Sequence, residues 1–541
     1  MVVSAQHFAT DAGLQILAAG GNAVDAAAAV GYALAVTYPA AGNLGGGGFM
    51  TLRLADGRTT FLDFREKAPL AATESMFQDA QGRVVPGLST DSWRAVGVPG
   101  TVAGFETARE RYGRLSRHVV VAPAIALARD GFVLEPGDAA LFAAETPGLG
   151  ADPGARAIFT HDGQPLRAGD RLVQPQLATS LELIDATGAD SFSRGALGQA
   201  ISAASAAGRG LITAEDFGRY KVRELAPITC NYRGTTVISA PPPSSGGVTL
   251  CESLNILEGY DLSAAGFHTA REVHLLVEAM RRAYRDRNQR LGDPAFVDNP
   301  VAHLIDKAYA ASLRAGIAPE AATPSASLPQ APAVAEGEHT THFSVVDRDG
   351  NAVAVTYTLN GWFGARRVAG DTGILMNNEM DDFTAKPGVP NMFDLVQGDA
   401  NAIAPGKTPL SSMSPTILTR DGRLALVTGS PGGPRIISTV LQVIVDTVDH
   451  GMALDVAVDA PRLHHQFLPD VVDAEAGALA PDVRAALEAA GYKIQDRPDW
   501  GHAESVLVGG RTFDAATTPG EPPLLFGVND RRAPAGAAAG H

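Results

Sequence analysis

The sequence predicts an α/β protein whose sheet is antiparallel. Two pairs of alternating segments, Phe49–Leu54 with Thr59–Phe64 and Thr341–Val346 with Ala352–Leu359, are joined by the turn sequences Asp56-Gly57 and Asp349-Gly350-Asn351. Stretches of helical periodicity lie around them, at the N-terminus, through residues 94–313 and again late in the chain. A chain that interleaves hairpins with helices in this way has to bury strands between helical layers.

Taken in order, Ala12–Ala19 is periodic, Gly20-Gly21 breaks it, and Asn22 suits the N-cap of an alanine-rich helix that ends near Pro39. Gly42-Asn43-Leu44-Gly45-Gly46-Gly47-Gly48-Phe49-Met50 follows. Four successive glycines before an apolar strand require a tight turn or a close backbone approach. A phosphate loop would need a GK[ST] ending, which is lacking. The helical region is interrupted by Ala240-Pro241-Pro242-Pro243-Ser244-Ser245-Gly246-Gly247. Residues 317–339, with Pro319, Pro324, Pro329 and Pro332 and few large apolar side chains, read as a mobile linker. Beyond it, Leu424–Thr428 and Glu504–Val508 read as strands, and Pro434–His450 and Pro481–Ala490 as helices. No fixed-period repeat is present.

Composition narrows the functional classes. A chain of 541 residues has room for two to four domains or one large α/β unit. The net charge of −16 argues against non-specific binding to nucleic acid or to an anionic membrane surface. The two cysteines, Cys230 and Cys251, form no CxxC or Cys/His pattern that would suggest zinc, and they leave pairing open. The N-terminal residues show no basic segment followed by an apolar one, so the expectation is a cytoplasmic protein or a chain given without its export signal.

The chemistry is concentrated in the second half. At Glu338-His339-Thr340-Thr341-His342-Phe343-Ser344 the linker gives way to a strand that starts on threonine. A mid-chain threonine hydroxyl is a weak nucleophile. If the bond before Thr340 is cut, its own α-amine, with a reference pKa of about 7.7–8.0, can take the hydroxyl proton. On the paired strand, alternation puts Thr356, Thr358 and Asn360 on one face. Asn377-Asn378-Glu379-Met380-Asp381-Asp382-Phe383 gathers carboxylates that suit an ammonium group. Pro409-Leu410-Ser411-Ser412-Met413-Ser414-Pro415 offers hydroxyls and amides. Thr428-Gly429-Ser430-Pro431-Gly432-Gly433-Pro434-Arg435 places a glycine turn between a strand and a helix, which suits an oxyanion hole.

These blocks, together with Gly42–Met50, Asp63-Phe64-Arg65-Glu66-Lys67-Ala68-Pro69, Gly97–Phe105 and Pro241–Gly247, occur in the order and over the span seen in gamma-glutamyltransferases, and the sequence resembles that family. The resemblance implies a four-layer αββα sandwich of the N-terminal-nucleophile hydrolase type. It implies a proenzyme that cuts itself between His339 and Thr340 into a large subunit, 1–339, and a small one, 340–541, which stay together as a heterodimer. It further implies transfer of the γ-glutamyl group of glutathione and related donors to water, amino acids or dipeptides, without cofactor or metal. By position, Thr340 is the nucleophile and Thr358 its hydrogen-bond partner. Gly432 and Gly433 form the oxyanion hole. Arg65, Ser411 and Ser412 receive the donor carboxylate, and Asp382, Glu379 and Asn360 its ammonium. Relatives in bacteria are usually periplasmic or secreted.

Some positions depart from the family pattern. Glu379 stands where some bacterial relatives have glutamine. Pro387–Lys407 resembles a lid loop, with Phe393 in place of the lid tyrosine, and Trp362 follows Asn360-Gly361 where a close relative differs. His464-His465 reads as structural, and Glu278–Arg287 as a solvated or salt-bridged helix face. Two alternatives stand beside the main reading: an acylase for β-lactam (glutaryl) side chains on the same scaffold, and a non-catalytic amino-acid-binding relative.

Overall fold

The computed structural model describes residues 1–328, 339–386, 399–514 and 524–540. The strands that matter for the site are β1 (Val2–Ser4), β2 (Gly47–Arg53), β3 (Thr59–Asp63), β4 (Arg223–Leu225), β5 (Ile228–Tyr232), β6 (Thr235–Ser239), β7 (His339–Val346), β8 (Ala352–Asn360), β9 (Thr416–Arg420), β10 (Arg423–Thr428), β11 (Ser505–Val508), β12 (Leu525–Val528) and β13 (Ala537–Ala539). One sheet runs β13-β1-β7-β8-β2-β3-β4 and the other β12-β11-β10-β9-β6-β5. Every neighbouring pair in both is antiparallel.

Side-chain alternation sorts each strand into two environments. Phe343, Val345, Val353, Val355 and Tyr357 pack outward with the helices α1 (His7–Ala18), α2 (Ala23–Thr37), α3 (Thr101–Tyr112), α4 (Arg117–Asp130) and α5 (Pro175–Thr187). Val237, Leu418, Leu426 and Leu507 of the second sheet pack outward against α6 (Gly246–Leu257), α7 (Ala270–Arg290) and α8 (Arg435–Val448). Between the sheets, Val3, Val346, Ala352 and Ala354 meet Ile238, Ile417, Val427 and Val506. The order helix, sheet, sheet, helix is the αββα sandwich that the resemblance implied.

Local chemistry explains most elements. Asn22 caps α2 as expected. Its side chain accepts from the Val24 and Asp25 amides, and Asp25 returns the bond to the Asn22 amide. Asp25 also accepts from the amides of Arg114 and Leu115, so this fully buried carboxylate is satisfied throughout. The four glycines prove to be a close approach rather than a turn. A Cβ on Gly48 would lie 2.4 Å from the Tyr357 Cβ, and one on Gly46 would lie 2.1 Å from the Thr358 carbonyl oxygen.

Two expectations are corrected and a third is narrowed. The region 94–313 holds β4, β5 and β6, and the last two form a hairpin at Arg233-Gly234, both with positive φ (52° and 77°), the turn that suits strand twist. Residues 317–328 are held down: the Ala322 amide donates to the Ala490 carbonyl, Thr323 to Glu278 Oε1 and Ser325 to Asp470 Oδ2. The proline-rich composition hid this because fixed carboxylates, not apolar burial, hold the segment. Positions 329–338 of the expected linker lie outside the described residues. The helix face Glu278–Arg287 is buried, with Arg281, Arg282 and Arg287 each at most 2% exposed, so of the two readings, solvated or salt-bridged, the salt-bridged one holds.

Cys230 on β5 and Cys251 on α6 are joined as a disulfide, a pairing the sequence left open. Because the bond closes a loop with a sequence separation of 21, replacing both cysteines by serine is expected to cost about 3 kcal/mol of stability through the unfolded chain's regained freedom. Thermal melts of the oxidised protein and the double variant check this.

Candidate active site

Strand β7 carries the threonine proposed as nucleophile. Thr340 is 4% exposed, and its Oγ1 donates to Thr358 Oγ1 at 3.4 Å. Thr358 is held in turn, since its hydroxyl accepts from the Asn360 amide at 2.8 Å. Thr340 pairs with Thr358 and His339 with Asn360, which leaves Leu359 as an extra residue opposite the His339–Thr340 peptide. Such bulges re-aim side chains beside reactive positions. Asn360 itself takes a left-handed φ of 74°, a conformation Asn tolerates better than most residues. Alternation therefore fails at Asn360, and its side-chain Nδ2 donates to the Asn378 carbonyl at 3.0 Å.

Thr340, His342, Ser344 and Val346 share the face between the sheets, polar at the start of β7 and apolar at its end. His342 is not a base in waiting. Burial pushes its pKa down to about 3, and its ring nitrogens engage Thr356 Oγ1 and Ser344 Oγ at 2.9 and 3.1 Å. Its ring lies against Gly429, where a Cβ would fall 2.3 Å from Cε1. That glycine opens the turn that ends at Gly432 and Gly433, whose φ values of 129° and 57° lie where side chains are strained. Neither glycine amide donates to another described residue, and α8 begins two residues later at Arg435. Two unclaimed N–H groups at the N-terminus of a 14-residue helix form an anion-binding geometry.

The charged part of the site is a closed cluster. Arg65 is 2% exposed; its Nη2 donates to Asp382 Oδ2 at 2.5 Å, and its Nη1 lies 2.6 Å from Glu379 Oε1 without hydrogen-bond alignment. Glu66 stands behind, 3.8 Å from Nη1, with neither carboxylate oxygen hydrogen-bonded. Burial raises Glu66 to about 7 and holds Glu379 well above the ordinary carboxyl range. The cation and anions expected to face the two ends of an amino-acid head thus contact each other directly, with three carboxylates sharing one guanidinium.

Ser411 and Ser412 are buried. Ser411 Oγ accepts from the Met413 amide, and Ser412 Oγ accepts from Arg287 Nη2 at 2.9 Å. Arg287 Nε also donates to Ser245 Oγ, and Ser245 donates its amide and hydroxyl to the Ser411 carbonyl. The Pro241–Gly247 block therefore clamps the serine block, a job that the sequence reading did not give to Arg287. Three asparagine amides were also missed. Asn377 accepts from the Gly97 and Glu379 amides and donates to the Gly45 and Gly97 carbonyls, so one side chain knots three sequence blocks. Asn43 joins the Gly46 amide to the Thr358 carbonyl. Asn401 links the Asp382 carbonyl to the Leu410 amide. Of the expected lid, residues 387–398, Phe393 among them, lie outside the described residues, while Lys407 donates to the carbonyls of Ala400 and Ala402.

The adjacent histidines settle as structural. His464 meets Ser438 and Gln466, and His465 meets Asp470 and the Phe467 amide, with burial lowering the two histidines to about 3 and about 4. Trp362 packs edge-on to Tyr38, which in turn packs edge-on to His502. His502 Nδ1 sits 2.5 Å from Glu504 Oε1.

Burial is the main cause that raises Glu504 from 4.5 to about 7. An acid raised on folding contributes stability that is complete below its unfolded value and is lost as pH rises through its folded value. Glu504→Gln has no such dependence, so it should gain about 3 kcal/mol on wild type between pH 4.5 and 8. Urea unfolding across that range is the measurement, and parallel profiles for the two proteins would refute the assignment.

Comparison with known proteins places this geometry. Residues 9–538 match the family described as Gamma-glutamyltranspeptidase. A "Glutathione hydrolase proenzyme" from Pseudomonas sp. (strain A14) is 54% identical, over 100% of this chain and 94% of that protein. One of the same description from Escherichia coli is 50% identical, over 100% and 92%. The solved structure of a cephalosporin acylase from Bacillus halodurans superposes with a TM-score of 0.86 at 28% identity, over 100% of this chain and 96% of that one. With a match of this length and relatives this similar end to end, the chain belongs to the gamma-glutamyltranspeptidase family.

Proposed function

We propose that the protein is a self-processing glutathione hydrolase and γ-glutamyl transferase with Thr340 as its nucleophile. The observation that carries this reading is a buried threonine hydroxyl, oriented by Thr358, on a polar inter-sheet face shared with the turn that presents the Gly432 and Gly433 amides. In the precursor, Thr340 Oγ1 attacks the His339 carbonyl carbon and the peptide C–N bond breaks as the nitrogen takes a proton. The resulting ester is hydrolysed by water, giving residues 1–339 and 340–541. The freed α-amine then takes the hydroxyl proton as Oγ1 attacks the γ-amide of the donor, and that proton passes to the leaving amine. The glutamyl ester left on Thr340 is cleaved by water or by the amine of an amino acid or dipeptide.

Arg65, Ser411 and Ser412 take the donor α-carboxylate in this reading, and Asp382, Glu379 and Asn360 take the ammonium. A zwitterionic head would open the Arg65–Asp382 contact and satisfy each partner with the opposite charge. Asp382, Glu379 and Glu66 set more carboxyl groups around Arg65 than one guanidinium can pair, which favours a donor that brings an ammonium of its own. This is what separates the reading from the acylase of glutaryl side chains, whose substrate lacks that group. The Cys230–Cys251 bond supports a periplasmic or secreted location, where disulfides persist.

Denaturing electrophoresis and a paired substrate assay test the proposal. The 56.0 kDa chain should resolve into pieces of roughly 35 and 21 kDa, in proportion to residue number. A γ-glutamyl anilide should turn over far faster than the matching glutaryl anilide. A chain that stays whole and inert would favour the binding-protein reading, and a preference for the glutaryl substrate would favour the acylase.

A further inference from the structure

Away from the active site, the start of α7 and the end of α8 bring together Glu272, Asp446 and His450. Each offers one ligand atom, and the three atoms lie within 4.8 Å of one another. Glu272 is fully buried and Asp446 is 4% exposed, while the His450 side chain retains 7% exposure and gives the cluster an edge toward solvent. His450 Nε2 lies 2.6 Å from Glu272 Oε1. The other Glu272 oxygen accepts from the His268 amide as part of the α7 cap.

Asp446 is the observation that points to a ligand. Its carboxylate accepts no hydrogen bond from any described residue, although it faces the other two groups from inside the protein. The Arg462 guanidinium, which acts on Asp446 at longer range, is committed to Asp530 and to the carbonyls of Trp500 and Val458. His450 pairs with Glu272 and leaves Asp446 without a partner, which a cation joining all three would supply. One imidazole nitrogen and two carboxylate oxygens suit a divalent first-row transition ion such as Zn2+ or Mn2+, with water completing the shell on the His450 side. Calcium sites are built from oxygen ligands.

We propose that Glu272, Asp446 and His450 form a structural binding site for a divalent transition-metal ion. The ion clips α7 to α8. These helices carry Arg287, which holds Ser412, and the Gly432-Gly433 turn at the head of α8, so occupancy stiffens the floor of the active site without touching the reacting atoms.

The test uses tag-free full chain, stripped with EDTA and dialysed, and titrated calorimetrically with ZnCl2, MnCl2 and CaCl2. Thermal melts are recorded with and without each ion. The expected result is one equivalent of saturable Zn2+ or Mn2+ binding with a raised melting temperature, weakened at least about tenfold in Asp446→Asn and in His450→Gln. Melts in EDTA show that the variants fold. If Asp446→Asn does not, the less buried His450→Gln decides. Absence of saturable binding to wild type, binding of calcium alone, or variants that bind as tightly as wild type would each overturn the site.

Discussion

Thr340→Ala is expected to leave a single uncut chain and to lower γ-glutamyl turnover by on the order of a millionfold, the loss seen when a covalent nucleophile is removed from an enzyme built around it. Two separate steps fail together. Without Oγ1 nothing attacks the His339 carbonyl, so no α-amine is released. Without the hydroxyl no ester forms with the donor. Among the described neighbours on that face, His342 is held neutral by burial with its nitrogens engaged, and Thr358 Oγ1 already accepts from the Asn360 amide. Thr340→Ser keeps the oxygen and should still cut, more slowly, because the lost methyl no longer restricts the rotamer. Electrophoresis over time and a chromogenic γ-glutamyl assay read both outcomes. Two bands from Thr340→Ala would mean that another group makes the cut and that the nucleophile has been misassigned.

How far the sequence foretold this arrangement depends on the range of each interaction. The hairpins, the Asn22 cap and α8 follow from patterns within a dozen residues, and they stand close to where periodicity and turn chemistry put them. The β5–β6 hairpin was missed because its strands are only five residues each and β5 is half exposed, although Arg233-Gly234 carried the turn signal. Arg287 looked like one charge on a solvated or salt-bridged helix face. Its task became visible only when α7 was seen packed beneath Ser245 and Ser412, residues 42 and 125 positions away. Asn43, Asn377 and Asn401 work the same way: each amide joins backbone groups from blocks distant in the chain, and no local pattern marks such a residue. The eight ordered blocks conveyed which residues meet. They did not convey that Arg65, Glu379 and Asp382 contact one another directly.

That contact makes Asp382→Asn the most informative change at the binding end. Asparagine keeps the shape and removes one of the three carboxyl groups around Arg65, so two remain to hold the guanidinium and the chain should fold and cut itself as before. The donor ammonium, however, loses a buried ionic partner, a loss that costs roughly 2–5 kcal/mol in comparable pairs and lowers kcat/KM accordingly. The penalty should fall on γ-glutamyl substrates and largely spare a glutaryl anilide, which has no ammonium to place. The ratio of the two kcat/KM values is therefore the measurement, since it cancels any general damage to the site. An equal fall for both substrates would assign Asp382 to holding Arg65 in place and remove it from donor recognition. A selective fall would instead show that the cluster reads the amino group, because only the side chain facing that group can tell the two donors apart.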